Sequence, residues 1–138
     1  MRSRRRNRSG MTLVEIIIVI VLVTTVMAVV ARGVMSARDD AMCQETKLRI
    51  QKIQQSLQLY AAKHHGRYPS TSEGFDAISK YLEGSPAVDA WDHDLLYFSP
   101  GSQSGQEYEI VSLGKDGAEG GSDNDGDIKS YALDEACQ

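Results

Sequence analysis

The stretch Ser9-Gly10-Met11-Thr12-Leu13-Val14-Glu15-Ile16-Ile17-Ile18, running on without a break to Ala31, decides how the rest of the chain is read. Residues 12–31 read TLVEIIIVIVLVTTVMAVVA, twenty residues with one charge among them, Glu15. A helix of that length spans ~30 Å, the thickness of a bilayer core. Arg2, Arg4, Arg5, Arg6 and Arg8 stand directly before it, which orients such a span with its basic end in the cytoplasm. A secretory signal peptide has a shorter apolar core and a small-residue cleavage site behind it. Here the run is too long, and Arg32-Gly33-Val34-Met35 is a poor site. Ser3-Arg4-Arg5 hints at a twin-arginine signal, without the rest of that pattern. Length fits a membrane anchor and leaves Glu15 unexplained. A carboxylate in an apolar span costs ~2.5–3.5 kcal/mol or more. Glu15 is therefore either a functional group or a side chain snorkelling near the helix end.

Outside this block the chain is acidic. It has 138 residues, a size for one modest domain, and 15 basic against 19 acidic side chains. Setting aside the five leader arginines leaves 10 basic residues from Met11 onward, and a net charge of −9. That excludes nucleic acid as a partner, since phosphate binding needs a basic face, and is compatible with divalent cations. Cys43 and Cys137 are too few for a disulfide scaffold and lack zinc-ligand spacing. One bridge between them is allowed in an oxidising compartment, and two unrelated thiols are equally allowed.

No proline occurs before Pro69, and Ile50, Ile53, Leu57 and Tyr60 recur at helical spacing. The pattern predicts one helix over residues 13–64, with Gly33 as a possible bend. Gly66-Arg67-Tyr68-Pro69 ends it. Ser70, Thr71 or Ser72 then caps a short second helix with Phe75, Ile78 and Leu82 on one face. Residues 95–99 and 108–113 read as strands around a polar turn at 100–106, and 128–133 as a third strand. The fold class is α+β, a long N-terminal helix packed on a small antiparallel sheet.

The loop 114–127 holds Asp116, Asp123, Asp125 and Asp127 among Gly114, Gly117, Gly120, Gly121 and Gly126. Hard cations such as calcium take six to eight oxygens, which clustered carboxylates and freed carbonyls supply. On composition alone a solvated acidic turn is an equal reading. An EF-hand fails, because Ile128 stands where that loop requires glycine. His64 and His65 read as a solvated turn, and His93 as loop. Gly101-Ser102-Gln103-Ser104-Gly105 has glutamine where a nucleophile elbow has serine. No P-loop, dinucleotide fingerprint or zinc-protease helix is present, so an enzyme is not expected.

The leader string resembles the processing site of type IV pilins and pseudopilins, in which a short basic leader ends in glycine and the fifth mature residue is glutamate. Arg67-Tyr68-Pro69 with Glu73-Gly74, Trp91-Asp92 before a strand, and Ser112-Leu113-Gly114-Lys115-Asp116-Gly117 running to Asp127-Ile128 resemble the major pseudopilins, the G subunits of type II secretion systems. The resemblance covers essentially the whole chain. It departs from the family at Met11, usually Phe, at Arg32, often Pro, and at Ala90, commonly Pro.

The resemblance implies three parts: a cleaved leader at 1–10, a transmembrane and polymerisation half of the helix at 11–37, and a periplasmic pilin-like head at 38–138. It implies cleavage between Gly10 and Met11 by a prepilin peptidase and methyltransferase, then N-methylation of Met11. Glu15 would meet the Met11 amine of a neighbouring subunit, since a buried amine and carboxylate are each costly alone and less so together. It implies a structural calcium held by Asp116, Asp125 and Asp127, with Asp123 able to substitute and the Leu113 carbonyl completing the shell. The expected role is a subunit that self-assembles into a pseudopilus driving protein export across the outer membrane. It would work with minor pseudopilins and an inner-membrane secretion platform, with a cytoplasmic ATPase supplying the energy. Its place is the bacterial inner membrane, single-pass, with the N-terminus cytoplasmic before processing. A type IV or competence pilin, and a monomeric membrane-anchored calcium-binding periplasmic domain, are the alternatives.

Overall fold

In the computed structural model of the chain, residues 11–82 and 86–137 are described. They fall into two compact units, one ending at Ala37 and one beginning at Arg38. Helix α1, Leu13–Lys63, is 51 residues long and passes Gly33 without interruption. Thr12 starts it. Its hydroxyl accepts the Glu15 N–H at 3.3 Å, and Glu15 Oε2 lies 3.5 Å from the Thr12 N–H. Threonine followed three residues later by glutamate is a capping box, a sequence signal that a purely functional reading of Glu15 passes over. The helix ends where Gly66, at φ +82°, returns its N–H to Ala61 O at 2.8 Å. Glycine adopts that left-handed turn without steric cost.

The part of α1 before Arg38 has every residue exposed and is long and apolar enough to cross a membrane. In the head the pattern changes. Cys43, Thr46, Ile50, Ile53, Leu57 and Ala61 form one buried stripe at three- and four-residue spacing. Each fully buried Ile or Leu contributes ~1.5–3 kcal/mol relative to exposure.

The stripe faces a three-stranded antiparallel sheet, order β1-β2-β3: β1 Leu96–Phe98, β2 Glu109–Ser112 and β3 Ile128–Lys129. Tyr97 pairs with Ile110, and Ser112 with Ile128. Strand alternation sends Tyr97, Ile110 and Ile128 into the core beside Ile50 and Leu57. The Tyr97 hydroxyl donates to Pro69 O at 2.8 Å, and burial pushes its pKa up to about 12. The arrangement is the expected α+β, pilin-like one, with strands shorter than the sequence predicts. β3 stops at Lys129, because the following residues turn, Ala132 N–H to Lys129 O at 3.0 Å, and carry Cys137 to helix α1.

One local expectation fails. The short second helix is a single 3-10 turn, Gly74–Ile78. Its N-cap is Glu73, with no side-chain cap hydrogen bond, and none of the proposed caps takes that place. Both the Ser70 N–H and hydroxyl donate to Glu73 Oε2 at 2.8 Å, and Thr71 Oγ1 accepts the Ser99 N–H at 2.8 Å. Phe75 and Leu82 still pack on the core, and Ile78 is fully buried. The apolar face therefore survives without the α-helix.

Candidate functional site

The first group of residues singled out lies at the start of α1. Gly10 lies outside the described residues. Met11 and Glu15 are exposed, and Glu15 shares the cap with Thr12. At 3.5 Å the carboxylate–amide contact is at the outer limit of a hydrogen bond, so the cap leaves the carboxylate largely available. Around it Ile16 to Val30 present a continuous apolar surface, with Ile17 51%, Val21 54% and Val29 73% exposed. A soluble protein rarely leaves such a surface uncovered.

The second group is the loop 113–127, which leaves β2 and returns to β3. Its path needs glycine at Gly114 and Gly121, both at positive φ. A Cβ at Gly114 would sit 2.7 Å from Gly126 O, and one at Gly121 would collide with Asp125 O. Lys115 N–H to Asn124 O at 2.9 Å closes the loop on itself. The aspartates serve this turn singly. Asp116 Oδ1 accepts the Ala118 N–H at 3.0 Å, and Asp127 Oδ1 accepts the Gly120 N–H at 3.1 Å. Asp123 and Asp125 bound a short 3-10 turn. Among the described residues, no three His, Cys, Asp or Glu side chains converge as a metal-binding group. Asn124 Oδ1, though, is a buried acceptor with no hydrogen-bond partner. An orphan oxygen, in a loop that also carries four aspartates, is a donor of the kind a hard cation takes.

Two contacts clip the loop to α1. Lys115 Nζ meets Asp39 Oδ2 at 2.6 Å, and Asn124 Nδ2 donates to Asp40 Oδ1 at 3.1 Å. Hydrogen bonding to Asp39 and its charge raise the Lys115 pKa. Neither aspartate stands out in sequence, because each is one polar helix residue among many.

The same is true of Asp89, a fully buried carboxylate. Its Oδ1 accepts the N–H groups of Trp91 and His93, both at 2.9 Å, and its Oδ2 accepts the Ser112 hydroxyl at 2.7 Å. Around it Thr46 Oγ1 accepts the Ala90 N–H at 3.0 Å, and Arg49 Nη1 donates to Asp89 O at 2.7 Å. The His93 Nδ1 lies 3.0 Å from Gly114 O and 3.7 Å from Asp89 Oδ2. The nearer partner is a carbonyl, so Nδ1 carries the proton and donates to it. Ser112, His93 and Asp89 thus converge, but not as a nucleophilic triad. The serine donates to the carboxylate instead of to imidazole, and it is fully buried. The cluster joins helix, sheet and acidic loop, and the reading of His93 as a mere loop residue misses that link.

Cys43 and Cys137 are joined as a disulfide, with Cα atoms 6.5 Å apart and a sequence separation of 94. Cys43 is fully buried on α1, and Lys47 Nζ donates to Ala136 O at 2.9 Å beside it. The C-terminal tail is therefore pinned to the same stretch of helix α1, residues 39–43, that holds the acidic loop.

Comparison with known proteins places these features in one group. The family described as "Type II secretion system (T2SS), protein G" matches residues 33–131, and the "Prokaryotic N-terminal methylation motif" matches residues 5–31. The chain is 36% identical to the Type II secretion system core protein G of Pseudomonas aeruginosa, over 93% of this chain and 98% of that one. It is 35% identical to that of Xanthomonas campestris, over 91% of each, and 28% identical to that of Escherichia coli, over 96% and 97%. With its N-terminal methylation motif, its apolar helix and its α+β head, this chain belongs to the protein G family of the type II secretion system, the pseudopilin subunits.

Proposed function

We propose that the chain polymerises through helix α1 into the secretion pseudopilus and that its work there is structural. The observation that carries this reading is the exposed apolar surface before Arg38 with one carboxylate, Glu15, embedded at its start. Before assembly, the lipid of the inner membrane covers that surface, and the head faces the periplasm. After assembly, neighbouring copies of the helix cover it. Cleavage between Gly10 and Met11 leaves an amine four residues before Glu15, and a neighbour's carboxylate neutralises it in an apolar setting. Minor pseudopilins and the secretion platform are the partners this role requires.

Within the head, the loop 113–127 takes up calcium as a structural ion. The Leu113 carbonyl with Asp116, Asp125 and Asp127 would hold it, and Asp123 extends the carboxylate set. The glycine turns and the orphan Asn124 oxygen support the fit. The ion would supply positive charge among carboxylates that otherwise repel. Asp39, Asp40 and His93 hold the loop to the helix and to the Asp89 cluster.

The test separates pairing from capping. Glu15→Gln keeps a capping-box side chain and removes the charge, while Glu15→Val removes both. Both variants should insert in the membrane and be processed, with intact mass reporting loss of residues 1–10. Both should form no filaments on overexpression. Wild-type filament yield from Glu15→Gln refutes charge pairing and leaves Glu15 as a cap.

A further inference from the structure

One stretch of the head carries basic residues alone. Residues 46–72 contain Lys47, Arg49, Lys52, Lys63 and Arg67 and no acidic residue. Lys47 and Arg49 are engaged internally, on Ala136 O and on Val88 and Asp89 carbonyls. Lys63 and Arg67 are exposed at the turn that closes α1. They line a cleft of about 320 Å³ whose walls include Tyr60 and Tyr68. The cleft is shaped by packing. Tyr60 stacks on His64 at 3.9 Å, and Lys63 Nζ lies 4.9 Å from the Tyr81 ring centroid. One acid, Glu73, lies at the cleft and is held by Ser70. The cleft keeps an excess positive charge in a head that is acidic overall.

The acidic pole is elsewhere. The loop 113–127 meets α1 at Asp39 and Asp40, and the tail meets it at Cys43. Exposed Glu119 and Glu135 line neighbouring clefts on either side of Asp127 and Lys129. From Asp39 to Lys63 the helix rises ~36 Å. That is several Debye lengths at physiological salt, ~8 Å each, so Asp39 and Asp40 do not neutralise the Lys63–Arg67 cleft.

We infer that the Lys63–Arg67 cleft is the docking face for the acidic pole of a second copy of this chain, carried by Glu119 and Glu135. The inference rests on the filament reading above and specifies one of its contacts. Two different patches on one head make a head-to-tail contact. Repeated by a screw operation, such a contact builds an open filament, where an isologous patch would close a dimer. The aromatic walls exclude water from the charge pairs, and the charges steer the incoming head and fix its register.

The experiment uses the full-length chain expressed in cells, with sheared filaments as the readout. Lys63→Glu/Arg67→Glu brings like charges together and should lower filament yield about tenfold or more, as should Glu119→Lys/Glu135→Lys. Combining all four substitutions should restore most of the yield. None of these residues is assigned to the calcium shell or to the Glu15 pair. Protease resistance and the closed Cys43–Cys137 bridge report that each variant head is folded. In co-expression, an Arg67→Cys copy and a Glu119→Cys copy should cross-link as a mixed dimer. Reversal variants that assemble like wild type overturn the inference. So does a combined variant that stays defective with no mixed dimer, and so does an Arg67→Cys cross-link to a chain of different mass. If wild-type protein forms no filaments under the same conditions, the filament reading itself fails, which is a distinct result.

Discussion

The Ser112 hydroxyl donates to Asp89 Oδ2 at 2.7 Å, and both side chains are fully buried. Asp89 also satisfies two backbone amides, and each of those donors loses its partner if the carboxylate goes. Asp89→Ala is expected to destabilise the head by about 3 kcal/mol or more, since every buried unpaired group costs ~1–3 kcal/mol. Asp89→Asn should cost less, because its remaining oxygen still accepts the Trp91 and His93 amides and the Ser112 hydroxyl can rotate to accept. Urea unfolding of the three proteins measures the order, and an Asn variant as damaged as Ala would contradict it.

Removing the bridge between Cys43 and Cys137 should matter for the unfolded chain more than for the folded one. It closes 94 residues, a loop worth ~4–5 kcal/mol in the chain-entropy model. Cys137→Ser, or reduction of the wild type, should lower the Tm of the head and free the tail from helix α1. Reduced and oxidised protein with the same Tm would mean that Lys47 and the Ala136 contact suffice to hold the tail.

Calcium should act on stability through the loop 113–127. Ordering that segment costs ~1–2 kcal/mol per residue, and most of its residues are exposed, so little apolar burial offsets the cost. Metal affinity then becomes folding free energy. Melting of the Arg38–Gln138 head should shift upward with calcium at ~0.1–1 mM and fall back in chelator. Asp116→Ala or Asp125→Ala should remove the shift while leaving the curve in chelator nearly unchanged. Superimposable wild-type curves with and without calcium would reduce the loop to an acidic turn.

Glu73 links stability to acid. The Ser70 backbone N–H, then its hydroxyl, then the charges of Arg67 and His64 hold the Glu73 carboxyl below its ordinary 4.5. A depressed folded pKa contributes stability above the unfolded pKa, lost as pH falls through the folded one. Glu73→Gln should therefore be less stable than wild type at pH 7, and the gap should close below pH 4.5. Urea midpoints measured from pH 7 down to pH 3 test this, and a gap independent of pH would assign the effect to packing.

What the sequence by itself determined is what depends on neighbouring residues. The span from Leu13, its charge-flanked start, the helical stripe through Ile50 and Leu57, and the stop at Gly66 are all local patterns. Each is written within a few turns of chain, where backbone geometry and side-chain period leave little choice. The Thr12–Glu15 capping box was equally local, and would have been legible had Glu15 been weighed as a cap. The tertiary structure alone decided the contacts between distant segments. It set Asp89 against Ser112, Lys115 against Asp39, and Cys43 against Cys137, at separations of 23, 76 and 94 residues. It also held Thr71, a predicted helix cap, on the Ser99 amide 28 residues away, where the predicted second helix is a 3-10 turn. Nothing in the period or spacing of these residues marks them. An aspartate in a loop reads as solvated until the fold removes water from it, and only then must its oxygens find particular donors.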